Sequence, residues 1–300
     1  MSIVAYVIMV IIWGELVPTQ LRPNLKGTIG KDDYTLLKYR EMQEMKNLDV
    51  LFVGSSHAYR TFDSRIWRDR GYHVYNMGTS SQTHIHTGLL LHEFLLRSTP
   101  KLVIYEVYPD IFANEGIESN SIFLAYGMCK DAMTRVALKS RNIKSINELI
   151  HAKYRSLVRP DKVLPIVVDT TVEIYRSNGY IERKDGAYHN VKEHKRGKMK
   201  TRQLDAFYDN LNYLESQGIP FLLVNTPVTS IESGRFLDQG KYEKIMSSFD
   251  NYKDFSQLDS LIDSLHFYDY HHLNQKGVEL FNPYFINWLE SQNIKEFEKN

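Results

Sequence analysis

The feature that most limits the fold is a series of short, almost continuously apolar runs separated by helical patterns. Leucines and Phe94 recur at helical spacing over residues 86–97, and a second amphipathic helix is predicted over 201–218. The apolar runs are LDVLFVG (48–54), HVYNMG (73–78), KLVIYEV (101–107), IPFLLVN (219–225) and the weaker NYKDFS (251–256). Strands that are apolar on both sides and alternate with helices are typical of a parallel sheet covered on both faces. The sequence therefore predicts an α/β fold, a three-layer α/β/α sandwich around a five-stranded, mainly parallel sheet.

Composition excludes several classes of protein. The 300 residues are 43% hydrophobic, which is enough to bury a core. The formal net charge is +1, so nothing in the overall charge attracts nucleic acid, and no nucleic-acid partner is predicted. Cys129 is the one cysteine, so the chain can form neither an internal disulfide nor a zinc site made of several cysteines.

The N-terminal run SIVAYVIMVIIW (2–13) is almost wholly apolar. It is shorter than the roughly 20 residues of a spanning helix, and it lacks the basic start and small-residue cleavage site of a signal peptide. Three interpretations stay open: an uncleaved membrane anchor, a buried strand or helix of the fold, and a cleaved signal. We favour the anchor, which gives residues 1–20 as anchor, 21–46 as connector and 47–292 as the main domain.

The segment from about 111 to 200 interrupts the alternation of strands and helices, and we interpret it as an insertion into the main domain. Its first half has a helical pattern. Its end, residues 183–202, carries eight Lys or Arg against two acids. This stretch is either a solvated loop or a basic lip that attracts an anionic polymer or lipid headgroups.

Polar residues follow the predicted strands at the edge where ligands bind in open parallel sheets. Ser55 and Ser56 come after the first strand, Gly78 after the second, and Asp269 stands three residues before His272 near the last helix. A serine nucleophile needs a base within hydrogen-bond reach, and an imidazole base needs its other nitrogen held by an acid. A glycine lets a backbone N–H approach a developing oxyanion. The pattern therefore predicts acyl transfer by a serine–histidine–aspartate site.

These motifs resemble the SGNH (GDSL-type) hydrolase superfamily. GSS at 54–56 stands where that family commonly has Gly-Asp-Ser, NMG at 76–78 resembles the second block, and DYHH at 269–272, followed by Leu-Asn, resembles the last block. The resemblance covers roughly residues 47–110 and 200–290, and the last block is its most specific part. It implies the flavodoxin-like SGNH fold, Ser56 as nucleophile, Asp269 orienting His272, and the amides of Ser56 and Gly78 as oxyanion-hole donors.

The resemblance also implies a function. A serine esterase or O-acyltransferase would work through an acyl-serine, without cofactor or metal, on O-acyl (acetyl) groups of a cell-surface or exported polysaccharide. The predicted anchor favours the membrane-anchored branch of the superfamily that modifies bacterial surface glycans. Expected partners are an acylated glycan or small ester, the membrane, and a membrane-bound O-acyltransferase, with the catalytic domain in the periplasm or at the cell surface.

One departure concerns the third block of the superfamily, whose asparagine supplies another oxyanion donor. Here the third strand leads into EVYPDIFANEG (106–116), which lacks the Gly-x-Asn-Asp pattern. Asn114 is nearby in sequence but has no assigned role. Two interpretations of Glu106 stay open: it is a buried polar group at the end of a strand, or it lines the cleft.

Less specific interpretations stand beside these. Ser55 and Ser56 could only cap the following helix. The histidines His57, His84, His86 and His271 are expected to be surface or packing residues. His271 is the rival to His272, and the 84–86 cluster is a weak indication of metal. Two other classes stay open: a binding or partner protein that keeps the SGNH frame without turnover, and a flavodoxin-like phosphate binder. The early serine and the Asp-x-x-His spacing argue against an α/β-hydrolase.

Overall fold

The computed structural model describes residues 2–18, 21, 25, 34–158, 173–183, 197–292 and 294. Its strands are β1 Val50–Val53, β2 Val74–Asn76, β3 Leu102–Glu106, β4 Glu173–Ser177, β5 Tyr180–Arg183, β6 Phe221–Asn225 and β7 Tyr252–Asp254. Its helices are α1 Ile3–Leu16, α2 Thr35–Met42, α3 Ser56–Thr61, α4 Ser64–Asp69, α5 His84–Leu95, α6 Ile117–Tyr126, α7 Lys130–Ser140, α8 Ile143–Val158, α9 Thr201–Ser216, α10 Gln239–Met246, α11 Asp263–His266 and α12 Gln275–Ser291.

The main sheet has five strands in the order β2-β1-β3-β6-β7, and every neighbouring pair is parallel. Each strand lies within one of the five apolar runs, so the predicted sheet is confirmed. The order matches the flavodoxin-like pattern, in which strand order reverses between the first and third strands and ligands bind beside that reversal. The carboxyl ends of β1 and β3 therefore mark the expected position of a site.

Helices cover the sheet on both sides, which confirms the three-layer α/β/α class. On one side, alternate residues of β1, β3 and β6 form a core with Trp67 of α4 and with Phe281 and Phe285 of α12. On the other side, α5 packs along α9. There Tyr105 of β3 contacts Phe207 of α9, with ring centroids 5.9 Å apart. This double cover explains why the strands are apolar on both faces.

Strands β4 and β5 form a separate antiparallel hairpin inside the segment interpreted as an insertion. Asn178 and Gly179 have φ of 47° and 82°, as in a two-residue hairpin turn. The carbonyl of Asn178 accepts from the N–H of Asn76 at 2.9 Å, so the turn lies against strand β2. Tyr180 is buried in the core beneath α12. The hairpin thus belongs to the body that holds the main sheet.

The chain divides into two compact units. One holds residues 1–39 and 116–169, and the other holds 40–115 and 170–300, including the whole main sheet. The predicted division into anchor, connector and main domain is not tested by this, and it stays a prediction. Residues 184–196 of the predicted basic stretch lie outside the described residues.

In the first unit, α1 packs along α8. Val10 and Gly14 of α1 are buried, whereas Ile3, Val4 and other apolar side chains of the helix are exposed. Glu15 pairs with His151 of α8 at 3.0 Å. Within the described parts of the chain, no helix has both the length and the apolar character needed to cross a membrane.

Candidate active site

The turn after β1 presents Ser56 at the start of α3. Gly54 has φ of 142°, a conformation that glycine tolerates, and a Cβ there would lie 2.6 Å from a carboxylate oxygen of Glu106. Ser55 is the N-cap of α3, because its Oγ accepts from the N–H of His57 at 3.2 Å. The capping role weighed for both serines is therefore taken by Ser55, which leaves the hydroxyl of Ser56 for another partner.

Ser56, His272 and Asp269 form one continuous hydrogen-bonded chain. The Oγ of Ser56 lies 2.8 Å from Nε2 of His272. Nδ1 of the same ring lies 2.8 Å from Oδ2 of Asp269. Oδ1 of Asp269 also accepts from the backbone N–H groups of His271 and His272, at 2.9 and 2.8 Å. The structure thus brings together the three residues that the sequence selected, from segments more than 200 positions apart.

The protonation of His272 follows from its surroundings. Burial, together with the nearby guanidinium groups of Arg60 and Arg183, lowers the pKa of His272 well below its usual value. The neutral ring carries its proton on Nδ1, because that nitrogen faces the carboxylate acceptor of Asp269. Nε2 is then the acceptor for the Ser56 hydroxyl, which is the arrangement a general base needs.

Glu106, at the end of β3, holds the turn that presents Ser56. Oε2 accepts from the N–H of Ser55 at 2.7 Å and from its Oγ at 2.8 Å, and Oε1 accepts from the N–H of Tyr108 at 2.5 Å. The side chain is buried, and burial raises its pKa above the usual value. Glu106 is thus a buried group that ties the ends of β1 and β3 together. Sequence reasoning left this role open, and the position at the end of an apolar strand was the available signal.

The two predicted oxyanion donors, the N–H groups of Ser56 and Gly78, differ in their hydrogen bonding. The N–H of Ser56 belongs to the first residue of α3, so it has no acceptor inside the helix. Gly78 lies against the turn that presents Ser56, where a Cβ would come within 2.7 Å of the carbonyl oxygen of Ser55. The N–H of Gly78, however, donates to Oδ1 of Asn76 at 3.0 Å. Its role as an oxyanion donor stays a prediction, and it requires this N–H to leave Asn76 or to be shared.

Asn114 closes the short 3₁₀ turn Pro109–Ala113 that follows β3. Its carbonyl accepts from Nε2 of Gln203 in α9 at 3.0 Å. These contacts tie the segment to the start of α9 and give Asn114 a structural role. A third oxyanion donor is still unassigned.

Two further histidines gather beside the triad. Nε2 of His57 lies 2.9 Å from Nδ1 of His271, and Nδ1 of His57 lies 3.2 Å from Oγ1 of Thr226. The ring of His57 stacks on Tyr108, with centroids 3.9 Å apart. One ring nitrogen from each of His57, His271 and His272 lies within 4.8 Å of the other two. No sequence pattern indicates this cluster, since His57 and His271 are expected separately as surface or packing residues and His272 as the base of the candidate triad.

The histidines at 84 and 86 lie elsewhere. His84 is buried against Phe112 and Phe207, and its Nδ1 hydrogen-bonds the hydroxyl of Tyr105 at 2.7 Å. Burial lowers the pKa of His84 to about 3, so the ring is neutral. His86 pairs with Oγ1 of Thr83 at 2.8 Å. Both side chains are packing residues at the start of α5.

Charged and aromatic side chains pack around His272 in addition to the histidines. Tyr268 stacks parallel to the His272 ring at a centroid distance of 5.4 Å, and the guanidinium of Arg183 lies 4.2 Å from the Tyr268 centroid. Glu173 pairs with Arg60 at 2.6 Å and with Arg183 at 3.0 Å. The open end of the β4–β5 hairpin therefore contributes directly to the surroundings of the site, a role that no sequence motif indicated.

A protein-family model matches residues 178–294, which is less than half of the chain and includes Asp269 and His272. No curated protein matches the chain.

Solved structures of bacterial proteins resemble the chain at low identity. A protein described as a platelet activating factor from Streptococcus pneumoniae is 11% identical, with a TM-score of 0.38, over 85% of this chain and 91% of that one. One described as an acylhydrolase from Bacteroides fragilis is 14% identical, with a TM-score of 0.31, over 87% and 99%. A GDSL-like lipase from Bacteroides thetaiotaomicron is 13% identical, with a TM-score of 0.29, over 86% and 99%.

None of these structures is similar enough to inform on activity. The sheet order, together with the Ser56–His272–Asp269 chain at the carboxyl ends of the strands, confirms the resemblance to SGNH (GDSL-type) hydrolases at the level of the fold.

Proposed function

We propose that the chain is a serine ester hydrolase or O-acyltransferase of the SGNH type. The observation that carries the proposal is the pair of 2.8 Å contacts that connect Asp269, His272 and Ser56 at the carboxyl end of β1. A capping serine or a phosphate-binding loop would need neither the imidazole nor the carboxylate. These two contacts therefore make a flavodoxin-like phosphate binder the least supported of the three classes of function.

The reaction follows from the positions of the protons. Nε2 of His272 takes the proton of the Ser56 hydroxyl as Oγ forms a bond to the acyl carbon, and Asp269 balances the imidazolium that results. The N–H of Ser56, which has no acceptor inside helix α3, would stabilise the oxyanion. His272 then gives its proton to the departing alcohol oxygen, which leaves an acyl-serine. Water or a sugar hydroxyl attacks that ester and gives its proton to His272. His272 then returns a proton to the Ser56 oxygen as its bond to the acyl carbon breaks.

The finer part of the proposal concerns the substrate. We infer that the acyl group is an acetyl or similar small group carried by a cell-surface or exported polysaccharide. The exposed apolar side chains of α1 support attachment to a membrane surface, although its 14 residues span only about 21 Å as a helix. The basic residues of 183–202 support an anionic polymer as partner. A membrane-bound O-acyltransferase is the expected donor of acyl groups if the reaction is transfer.

The test is turnover of a small acetyl ester by Ser56→Ala and Ser55→Ala. We expect Ser56→Ala to lose activity by about a million-fold, as for the loss of a triad nucleophile. Ser55→Ala should retain the triad and lose stability, because it removes the cap of α3. Labelling by a fluorophosphonate probe should depend on Ser56 alone. Activity that survives in Ser56→Ala and disappears in Ser55→Ala would contradict the assignment of the nucleophile.

A binding protein without turnover is the second candidate, and one observation favours it. The N–H of Gly78 is engaged by Asn76, and the third oxyanion donor is unassigned. Removal of one such donor costs about 100- to 1000-fold in rate. Fluorophosphonate labelling separates the two candidates, because a protein without an activated serine stays unlabelled.

A further inference from the structure

We propose that His57, His271 and His272 form a binding site for a divalent transition metal ion of the zinc type, and that the bound ion switches the triad off. The ion would take Nε2 of His272, the atom that now accepts from Ser56. Metal binding itself does not depend on the proposed function, whereas its inhibitory effect rests on it.

The geometry of the three rings is close to that of a metal site. One nitrogen from each ring lies within 4.8 Å of the other two, and Nε2 of His57 and Nδ1 of His271 are 2.9 Å apart. Two nitrogens bound to one tetrahedral zinc ion, each at about 2.0–2.1 Å, are about 3.4 Å from one another. The His57–His271 pair therefore needs to open by about 0.5 Å, and the His272 nitrogen needs to move inward by up to about 1.4 Å.

The partners of the remaining ring nitrogens are those of metal-binding histidines. A ligating imidazole usually directs its other nitrogen at a carboxylate, a carbonyl or another oxygen, which fixes the ring. Nδ1 of His57 faces Oγ1 of Thr226 at 3.2 Å, and Nδ1 of His272 faces Oδ2 of Asp269 at 2.8 Å. Nε2 of His271 lies 3.9 Å from the same Asp269 oxygen. Nδ1 of His57 and Nδ1 of His272 thus face oxygen atoms, which leaves Nε2 of each of these two rings as the nitrogen available to an ion.

The ligand set indicates the kind of ion. Imidazole nitrogens suit zinc, copper, iron and nickel, and three histidines leave a fourth position open for water or substrate. Apart from the transfer of one ring proton, no covalent bond changes on binding. The ion exchanges water ligands for three nitrogens, the proton between His57 and His271 moves to an outer nitrogen, and the Ser56 hydroxyl loses its acceptor. A serine without its base cannot give up its proton, so turnover stops while the ion is bound.

The location permits entry from solvent. The side chain of His271 is 19% exposed, whereas the side chain of His272 is 9% exposed. His57 is buried behind them. An ion arriving from solvent would therefore meet His271 and His272 before His57.

The experiment uses the full chain without a histidine tag, stripped with a chelator and dialysed. Titration calorimetry with Zn²⁺ and the visible absorption of Co²⁺ report binding without reference to catalysis. We expect one ion per chain, a marked loss of affinity in His57→Gln and in His271→Gln, and a 10- to 100-fold loss in Thr226→Val, which removes an outer-shell partner. His73→Gln is the matched control, because His73 is exposed and bonds the carbonyl of Asn47.

Inhibition is measured on a small acetyl ester, with each variant compared with its own rate in chelator. Zn²⁺ should suppress turnover and fluorophosphonate labelling of the wild type and His73→Gln at the concentration at which it binds. His57→Gln and His271→Gln should need a far higher Zn²⁺ concentration for the same fractional loss of turnover. Absence of stoichiometric binding, equal binding by all variants, or a rate that rises with Zn²⁺ would overturn the proposal. If the chain has no esterase activity at all, the calorimetric and Co²⁺ results still decide whether the metal site exists.

Discussion

At the scale of single residues, the tautomer of His272 depends on which atom of residue 269 faces its Nδ1. In Asp269→Asn, the carbonyl oxygen can still accept from the backbone N–H groups of residues 271 and 272. The amide NH₂ would then face Nδ1, so that nitrogen must become an acceptor and the proton moves to Nε2, opposite Ser56. We expect a loss in turnover of about 10,000-fold with the fold intact, as for the wrong tautomer in a serine protease.

The control for this change is Asp263→Asn, since Asp263 also accepts a backbone N–H, from Ser230, but lies on α11 outside the triad. Acetyl-ester kinetics and thermal melts of both variants check the prediction. Wild-type turnover in Asp269→Asn, or an equal loss in both variants, would contradict the role given to this carboxylate.

Glu106 gives a prediction about stability and pH. Burial raises the pKa of Glu106 above its ordinary value of 4.5, so the folded protein holds this proton more tightly than the unfolded chain does. The stability that Glu106 contributes must therefore fall as pH rises from about 4.5 through the raised pKa. Residue 106 does not titrate in Glu106→Gln. The pH dependence that comes from all other groups therefore cancels when the free energies of unfolding of the two proteins are subtracted.

Urea unfolding of the wild type and Glu106→Gln over a series of pH values measures the difference between their free energies of unfolding. We expect the advantage of the wild type to shrink with rising pH across that window. A difference that is constant, or that grows with pH, would show that the carboxylate is stabilised by the N–H groups of Ser55 and Tyr108 more than burial disfavours it.

The residues of the triad could be predicted because their chemistry has a local signature. Gly-x-Ser after a strand and Asp-x-x-His before the last helix are visible without a structure. Thr226, Tyr108 and the pairing of His57 with His271 could not be predicted, because these contacts join loops far apart in sequence. No spacing rule relates position 57 to position 271.

At the scale of elements, the β4–β5 hairpin is a sharp test of packing against the main sheet. Gly179 has φ of 82°, and a Cβ there would lie 2.0 Å from the carbonyl oxygen of Asn76. Gly71 has φ of 89° and nothing within 4 Å of the same position, so it is a matched control for backbone strain alone. We expect Gly71→Ala to cost about 1–2 kcal/mol and Gly179→Ala clearly more.

Thermal unfolding of the two variants checks this prediction. The difference between them isolates the steric overlap with β2, because both pay the cost of positive φ. Equal melting temperatures would mean that the hairpin turn does not lie against Asn76 as described.

Strands β1, β2, β3 and β6 were predictable because they are buried and lie in apolar runs. Strand β7 is partly exposed and lies in the weaker run NYKDFS. The hairpin was missed, although Asn178-Gly179 between β-forming residues is a strong hairpin signal. Its surroundings in sequence, a helical pattern before it and a basic stretch after it, led to the interpretation of one inserted segment. In the structure, Tyr180 of the hairpin is buried in the main core, so the hairpin is bound by long-range packing that the local pattern does not reveal.

At the scale of the whole molecule, the triad and its supporting residues all lie in the unit formed by residues 40–115 and 170–300. That unit contains the complete parallel sheet and its core. The helices α1 and α6–α8 belong to the other unit. If each unit is held by its own packing, a change confined to α1 should leave the candidate active site unaffected.

Gly14 of α1 permits this test. A Cβ at Gly14 would lie 2.4 Å from Cδ2 of His151, a buried ring that is also held by Glu15. Gly240 in α10 has open space at the same position, so Gly240→Ala is the control. Alanine favours a helix over glycine by up to about 1 kcal/mol, which should make the control neutral or stabilising. Gly14→Ala should instead loosen α1 from α8, because the overlap with the ring outweighs that gain.

Hydrogen exchange should rise in peptides from α1 and α8 in Gly14→Ala alone, while both variants hydrolyse a small acetyl ester at the wild-type rate. Unchanged exchange would refute the packing of α1 on α8, and a loss of ester turnover in Gly14→Ala would show that the active site depends on the unit that contains this helix.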